Sequence, residues 1–469
     1  MIAMSARDLA SACQGRLRAG SPEAQVEQVV IDSREVVSGA CFFAIAGART
    51  DGHHYLDAAV SAGATALVVR QDRSRRAQQP EAALIEVDDT TAALQLLAAF
   101  VRDRVDPRVA AITGSIGKTS TKHFAIDLLE ERWDVHSTPG NLNNHWGLPL
   151  SLLGLERHHE VMVAELAMSG PGEIRALARI AAPEVGVITN VAPVHMEFFE
   201  SVEGVAAAKA ELAEELPATG TLIVNGDDPL TAQMATRFHD SVARVITFGA
   251  GAEADVRARD AAEGVDGWRF ELDLEGSYGV PVLLPLAGEH TLMNFLAAAA
   301  LAHTFGVEPR AIVARARQLT FPPGRGGTHD LGNGVRIIDD SYNASPVAMR
   351  RSLDRLASSP AEGRRIYAAG DMLELGSWSE DSHREVGAHA AHLGIDLLIA
   401  VGNYAEFIAA GAAAGGMPAA RISCFATAEE AGRALADEVE NGDLVLVKGS
   451  RAVHMERIIE ALRRHRAED

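Results

Sequence analysis

Residues Val109 to Trp133 read VAAITGSIGKTSTKHFAIDLLEERW, and this stretch decides the fold. The run Val109 to Ile112 has the apolar, β-rich character of a buried strand, and the turn after it carries two glycines. From Lys118 to Trp133, Phe124, Leu128 and Leu129 recur at helical spacing. The order is strand, phosphate loop, helix. Small residues at Gly114, Ser115 and Gly117, with Ile116 between them, let backbone N–H groups converge on phosphate oxygens, and the positive end of the helix dipole points at the same place. Lys118 is expected to reach the β and γ phosphates and the Thr119 hydroxyl to hold Mg²⁺, with Ser120 completing the binding turn. The usual G-x-x-x-x-G-K-[ST] pattern has a glycine where Ile112 stands, so this is the shorter G-x-x-G-K-T form. ATP is the better guess than GTP, because no obvious guanine-reading N-K-x-D stretch is present.

Length and composition set the outer limits. A chain of 469 residues with 47% hydrophobic content exceeds one ordinary core, and about two to four domains are expected. The formal charge of −21, with 64 acidic against 43 basic residues, argues against a nucleic-acid or anionic-membrane surface. An anionic ligand must then be held by local basic residues and backbone amides. Cys13, Cys41 and Cys424 are widely separated and odd in number, which fits three buried thiols in a reducing compartment better than a disulfide frame. No run reaches membrane-spanning length and the amino terminus lacks a continuous apolar core, so a cytoplasmic location is expected.

Around the phosphate loop the chain divides into three expected α/β units. Residues 1–107 form a small unit whose most informative stretch runs from Asp32 to Ala64. There Ser33 and Arg34 offer a hydroxyl and a bidentate guanidinium, and the glycine-rich segment behind them holds Gly47, Asp51 and His53, as binding a diphosphate or a uracil edge needs. Alone, Asp-Ser-Arg reads as a solvated turn. Residues 108–321 alternate the strands VAAIT, VMVAEL, VGVITNV, TLIVNG and RVITFG with helices, which predicts a doubly wound parallel sheet with ligands at the strand carboxyl ends. Glu165 ends VMVAEL, His195 follows TNVAPV, and Lys209 sits in the helical run SVEGVAAAKAELAEEL. A glutamate and a histidine beside bound phosphates suit a divalent ion. Residues 322–469 repeat the alternation through VRIIDDSY, RIYAAGDM, LLIAVG and LVLVKGS, a second open sheet that is Rossmann-like in outline but lacks the G-x-G-x-x-G fingerprint, so NAD is not predicted. Asn343, Met372 and Glu374 follow its strands, and Lys448, Ser450 and Arg451 form a basic loop.

TGSIGKTST, TPGNLNNHWGLP, AEL, TNVAPVHMEFF, AAAKAEL, GEHTLMN, PGR and DDSYNASP occur in one order along the chain. Together they resemble the Mur ligase family, ATP-dependent amide-forming enzymes that build the peptidoglycan stem peptide. The amino-terminal pattern, with DDSYNASP and GDMLELG, looks most like the branch that adds D-alanyl-D-alanine to a UDP-N-acetylmuramoyl-tripeptide. The resemblance implies ATP and Mg²⁺ as cofactors, with Glu165 and His195 on the metal and Lys209 in the place of a lysine carbamylated in relatives. A carbamate would turn that cation into an oxygen ligand. It also implies that His290 and Asn294 lie near the adenine, that Arg325 and Asp340 meet the nucleotide from the third unit, and that TPGNLNN, with Asn143 and Asn144, is the substrate loop. Asn343 is expected to touch substrate. Thr291 stands where the family usually has asparagine, and Met196 where an aliphatic residue is usual. No nucleic acid and no membrane insertion are expected, and the chain is expected to be a monomer. Ligases for other stem residues share the loop and metal groups; a phosphate-loop ATPase or kinase, or a binding module, would need the loop alone.

Overall fold

The computed structural model describes residues 1–47, 50–76, 82–194, 197–264 and 266–468. Three open α/β sheets succeed one another along the chain. The first has five strands in the order Arg16–Ala19, Ala83–Val87, Ala66–Arg70, Ala40–Phe43, Gln28–Val30, the outermost pair antiparallel and the others parallel. Helix Thr90–Val105, capped at its start by Asp89 and closed by Asp106 in the left-handed region at φ 56°, leads into the second sheet.

Six parallel strands form the body of that second sheet, in the order Val135–Ser137, Val161–Glu165, Arg108–Thr113, Val185–Ile188, Thr221–Asn225, Arg244–Gly249. The phosphate-loop strand therefore runs between two neighbours whose carboxyl ends stop within a residue of its own, Glu165 opposite Ile112 and Ile188 opposite Thr113. The sequence reading expected only strand and helix alternation here. The structure adds Val256–Gly264, parallel to Arg244–Gly249, and then two antiparallel strands, Gly267–Leu274 and Ser277–Leu284. Strand Gly267–Leu274 shows the period-2 burial of a sheet with one wet face, and Phe270, Leu272 and Leu274 point inward, where Phe270 meets Phe295 of helix Glu289–Thr304 edge-on. The helix after the phosphate loop ends at Leu129, a turn earlier than Trp133, whose indole instead donates to the carbonyl of Phe305 at 3.0 Å.

The third sheet has the order Gly327–Asp330, Arg336–Asp340, Leu444–Lys448, Arg365–Gly370, Leu397–Val401, Ile422–Phe425, parallel except for its first pair. Core packing divides the molecule unevenly. One apolar cluster runs continuously from the first sheet to one face of the second, through residues such as Phe43, Leu97, Leu152 and Leu212. The third sheet has two clusters of its own, around Tyr367 on one face and Leu435 on the other, separate from the rest. Cys13 and Cys41 are buried as expected, but Cys424 is exposed, because Ile422–Phe425 is the edge strand. Among the described residues, no helix is long and apolar enough to cross a membrane.

Candidate functional site

Strand Arg108–Thr113 ends at Gly114, φ 149°, and helix Lys118–Leu129 starts after Gly117, φ 89°. A Cβ at Gly114 would stand 1.9 Å from Thr189 Oγ1, and one at Gly117 2.2 Å from Asn294 Oδ1. Close approach and backbone conformation both demand glycine. The loop is clamped from the exit of the neighbouring strand: Thr189 Oγ1 and Asn190 Nδ2 donate to the Ile116 carbonyl at 2.7 and 2.8 Å, and Asn190 Oδ1 accepts the Ile116 N–H at 3.0 Å. The Ser115 N–H goes to the Asn190 carbonyl at 3.0 Å. The N–H groups of Ser115 and Ile116 thus hold the loop itself. Donors for an anion come from the first helical turn, where the N–H groups of Lys118, Thr119 and Ser120 have no intrahelical acceptor. Lys118 Nζ lies over the loop, donating to the Gly114 carbonyl at 2.7 Å. Packing around it lowers its pKa by desolvation, against the opposing pull of Glu165.

Glu165 stands at the carboxyl end of the strand beside the loop and is buried. Its Oε1 accepts from Asn143 Nδ2 at 2.8 Å and from Thr119 Oγ1 at 3.3 Å, while Oε2 is buried without a hydrogen bond, 3.3 Å from Lys122 Nζ. A buried carboxylate whose second oxygen accepts no hydrogen bond, beside a threonine hydroxyl, is the hard oxygen donor set that Mg²⁺ takes. Among the described residues no group of three or more His, Cys, Asp or Glu gathers for a metal. His195 and Met196 lie outside the described residues. Lys209, on helix Val202–Glu214, is buried, and among the described residues its Nζ has no hydrogen bond or ion pair. Burial pushes its pKa well down, and Lys118 adds repulsion in the same sense.

A cavity of about 480 Å³ opens over the loop, with Glu165 and Lys209 on its floor and Asn143 from the loop after Thr138 at one side. The third unit supplies the opposite wall with Arg325, Asn343, Glu374 and Ser450. Arg325 crosses the gap, Nη2 donating to Thr119 Oγ1 at 3.2 Å, and its guanidinium lies 4.2 Å from the Tyr342 ring centre. Asp340 lines no wall. Its Oδ2 accepts from Lys448 Nζ and Ser352 Oγ, each at 2.6 Å, and Lys448 also donates to the Asn343 carbonyl at 3.0 Å. Asp340 Oδ2 therefore fixes the loop that carries Asn343 through Lys448, and the residue lines neither cavity. Met372 is buried as well, its N–H donated to His383 Nε2 at 2.8 Å.

A second cavity, of about 860 Å³, shares Ile116 with the first and is lined by Asn190, Asp227, His290, Asn294 and Arg351. His290 and Asn294 come together there, as their spacing on helix Glu289–Thr304 requires. Burial pushes the His290 pKa down to about 4, against the opposing field of Asp340. Thr291 is buried and donates to the Ala287 carbonyl at 2.9 Å, away from the cavity.

The first-unit candidates stand apart from both cavities. Arg34 is exposed and its fork closes on its own neighbour, Nη2 to Asp32 Oδ2 at 2.6 Å, in the turn Ser33–Glu35. Asp51 accepts from the His53 N–H at 3.0 Å, pairs with His53 Nδ1 at 2.7 Å and meets Arg73. His53 is buried and its Nε2 accepts the Arg70 N–H at 3.0 Å. With both ring nitrogens committed, His53 builds the turn and does not present a free group to a ligand, a correction to its expected role. Gly47 faces the loop after Thr138, where a Cβ would lie 3.7 Å from the Trp146 ring. Asn144 spends its Oδ1 on the N–H groups of Trp146 and Gly147, at 3.1 and 2.8 Å. Three residues that shape the site were not singled out from sequence: Thr189, Asn190 and Lys122. The first two directly follow the strand Val185–Ile188 next to the phosphate loop, a position that itself signals them.

Three family models match in succession: the Mur ligase family catalytic domain over residues 25–102, the Mur ligase middle domain over 112–302, and the Mur ligase glutamate ligase domain over 324–451. The chain is 34% identical over 468 residues to the UDP-N-acetylmuramoyl-tripeptide–D-alanyl-D-alanine ligase of Bacillus subtilis (strain 168), covering 98% of this chain and 99% of that one. A crystal structure of MurF from Acinetobacter baumannii superposes with a TM-score of 0.88 at 31% identity, over 98% of this chain and 99% of that one. MurF from Thermotoga maritima in complex with ADP gives a TM-score of 0.77 at 30% identity, over 94% of this chain and 98% of that one.

Proposed function

Since the chain belongs to the Mur ligase family, we propose that its cavities perform the reaction named for its full-length relatives: ATP-dependent joining of D-alanyl-D-alanine to UDP-N-acetylmuramoyl-tripeptide in peptidoglycan precursor synthesis. The observation that carries this reading is Glu165 Oε2 beside the phosphate loop, buried without a hydrogen bond and facing Lys122, with Lys209 on the same cavity floor and, among the described residues, without a partner. A plain phosphate-loop ATPase or kinase has no need of that lysine. A carboxylate and an amine do not condense unaided in water, so the γ-phosphoryl group passes to the tripeptide carboxylate and the amine then displaces phosphate from the acyl phosphate. First-turn amides and Lys118 hold the phosphates in line, a task of positioning and electrostatics. Mg²⁺, when bound, offsets the charge that builds on the transferring group, and Thr119, Glu165 and Lys209 are the residues assigned to hold it, with His195 assigned by resemblance.

Lys209 suits carbamylation on physical grounds. Burial lowers its pKa and so favours the neutral amine over the ammonium, and the lone pair of that amine adds to CO₂ to give the carbamate and release a proton. His290 and Asn294 are assigned to the adenine in the second cavity, and Asn143 and Asn343 to the substrates. Ser33, Arg34, Gly47 and Asp51 are assigned to the UDP end through the first unit's turn. Closure of the third unit shields the acyl phosphate from water; its independent cores, with the Arg325–Thr119 hydrogen bond spanning the gap, support motion as a body. We take the units to meet near residues 107/108 and 321/322. We take the protein to act as a monomer, and three free thiols support a cytoplasmic location. The test is phosphate release. It should require ATP, Mg²⁺, the UDP-linked tripeptide and D-alanyl-D-alanine together; release without an amine makes the protein an ATPase, and efficient use of a single amino acid moves it to another branch of the family.

A further inference from the structure

Lys122 is a buried cation with no part in the reaction just described. It follows Lys118 by one turn on the phosphate-loop helix and is only 5% exposed. Its Nζ donates to the carbonyls of Thr138 at 2.6 Å and Gly140 at 3.2 Å, and stands 3.3 Å from Glu165 Oε2. The loop that starts at Thr138 grips Glu165 twice more: Thr138 Oγ1 accepts the Glu165 N–H at 3.0 Å, and Asn143 Nδ2 donates to Oε1 at 2.8 Å. Burying an ammonium is costly unless its charge is met. Here it is met by two carbonyls of one loop and one carboxylate, so the loop's resting position and the charge balance around Glu165 depend on the same side chain.

We propose that Lys122 is a positioning residue that fixes the loop Thr138–Asn144 against Glu165 and so presets it for the UDP-linked substrate. It acts on substrate affinity more than on nucleotide binding, since its hydrogen bonds go to the loop, its ion pair to Glu165, and neither to the first-turn amides. The inference rests on the reading of this loop as the substrate loop. The test uses the full chain with ADP present and no amine. UDP-N-acetylmuramoyl-tripeptide binding is measured by calorimetry, and exchange of the amides of residues 138–144 by mass spectrometry. Lys122→Met should weaken UDP-tripeptide binding about tenfold or more, the loss of one or two charged hydrogen bonds. It should speed loop exchange by about as much and leave ADP affinity within about threefold. Lys122→Arg should restore part of the affinity. Unchanged loop exchange in the folded Met variant overturns the anchor. Faster exchange with unchanged UDP-tripeptide affinity overturns the substrate reading of the loop, and with it the proposal. An equal loss of ADP affinity makes Lys122 a general structural residue and overturns it too. If the Met variant does not fold, Lys122→Gln, which keeps a donor without the charge, is read against the same three measurements.

Discussion

Replacing Lys209 by methionine should separate stability from activity. Lys209 is almost fully buried, its end reaching the floor of the first cavity and, among the described residues, unpartnered, on a helix packed into the core shared by the first two sheets. An unmet buried polar group costs about 1–3 kcal/mol. Methionine has nearly the same length and no such group, so in CO₂-depleted buffer Lys209→Met should be more stable than the parent by about that amount, or roughly 2–4 °C in melting temperature per kcal/mol for a domain of this size. Bicarbonate should raise the melting temperature of the parent, because a carbamate removes the cation, and leave the methionine variant where it is. Phosphate release should fall on the order of 100-fold or more in the variant, as when a single group stabilising transition-state charge is removed. Lys209→Ala, with space where the side chain ended, should regain part of its activity in acetate. Scanning calorimetry with and without bicarbonate, paired with the four-component phosphate assay, reads all of this. A methionine variant that is less stable and fully active would mean that Lys209 is a satisfied structural lysine, and the argument from its isolation fails.

Lys118→Ala should abolish turnover without loss of fold, checked by phosphate release beside circular dichroism, because it removes the cation poised over the loop carbonyls. Gly117→Ala should abolish nucleotide binding by calorimetry, since its Cβ would strike Asn294 and its φ of 89° is strained for alanine. His290 gives a pH dependence. Its folded pKa of about 4 lies below the unfolded value near 6.5, so between those limits the unfolded chain binds more protons and stability rises with pH. The linkage between pH 7 and pH 5 is about 2 kcal/mol, discounted to about 1 for the ring's partial exposure. Urea titrations of His290→Gln should show a pH slope shallower by that amount than the parent.

The phosphate loop was legible because local chemistry writes it: two glycines, a lysine and a threonine at fixed spacing between an apolar run and an amphipathic helix. The parallel strands were legible for a like reason, as short β-branched runs buried on both faces. The antiparallel extension from Val256 to Leu284 was not, since its alternation is broken by register shifts after Arg259 and Leu272, and periodicity over so short a run does not say which sheet it joins. Sequence also assigned Glu165, Lys209 and Arg325 by order and resemblance. Only the tertiary structure decided what each one touches. Arg325 reaches Thr119 across 206 positions of chain, Lys122 meets the carbonyl of Thr138, and Asp340 and His53 turn out to be held by their own units. A side chain's donors and acceptors go to whatever the fold brings near. The sequence states which groups exist and how the backbone turns at the loop, and the packing of three sheets fixes which of those groups are left free to meet a ligand.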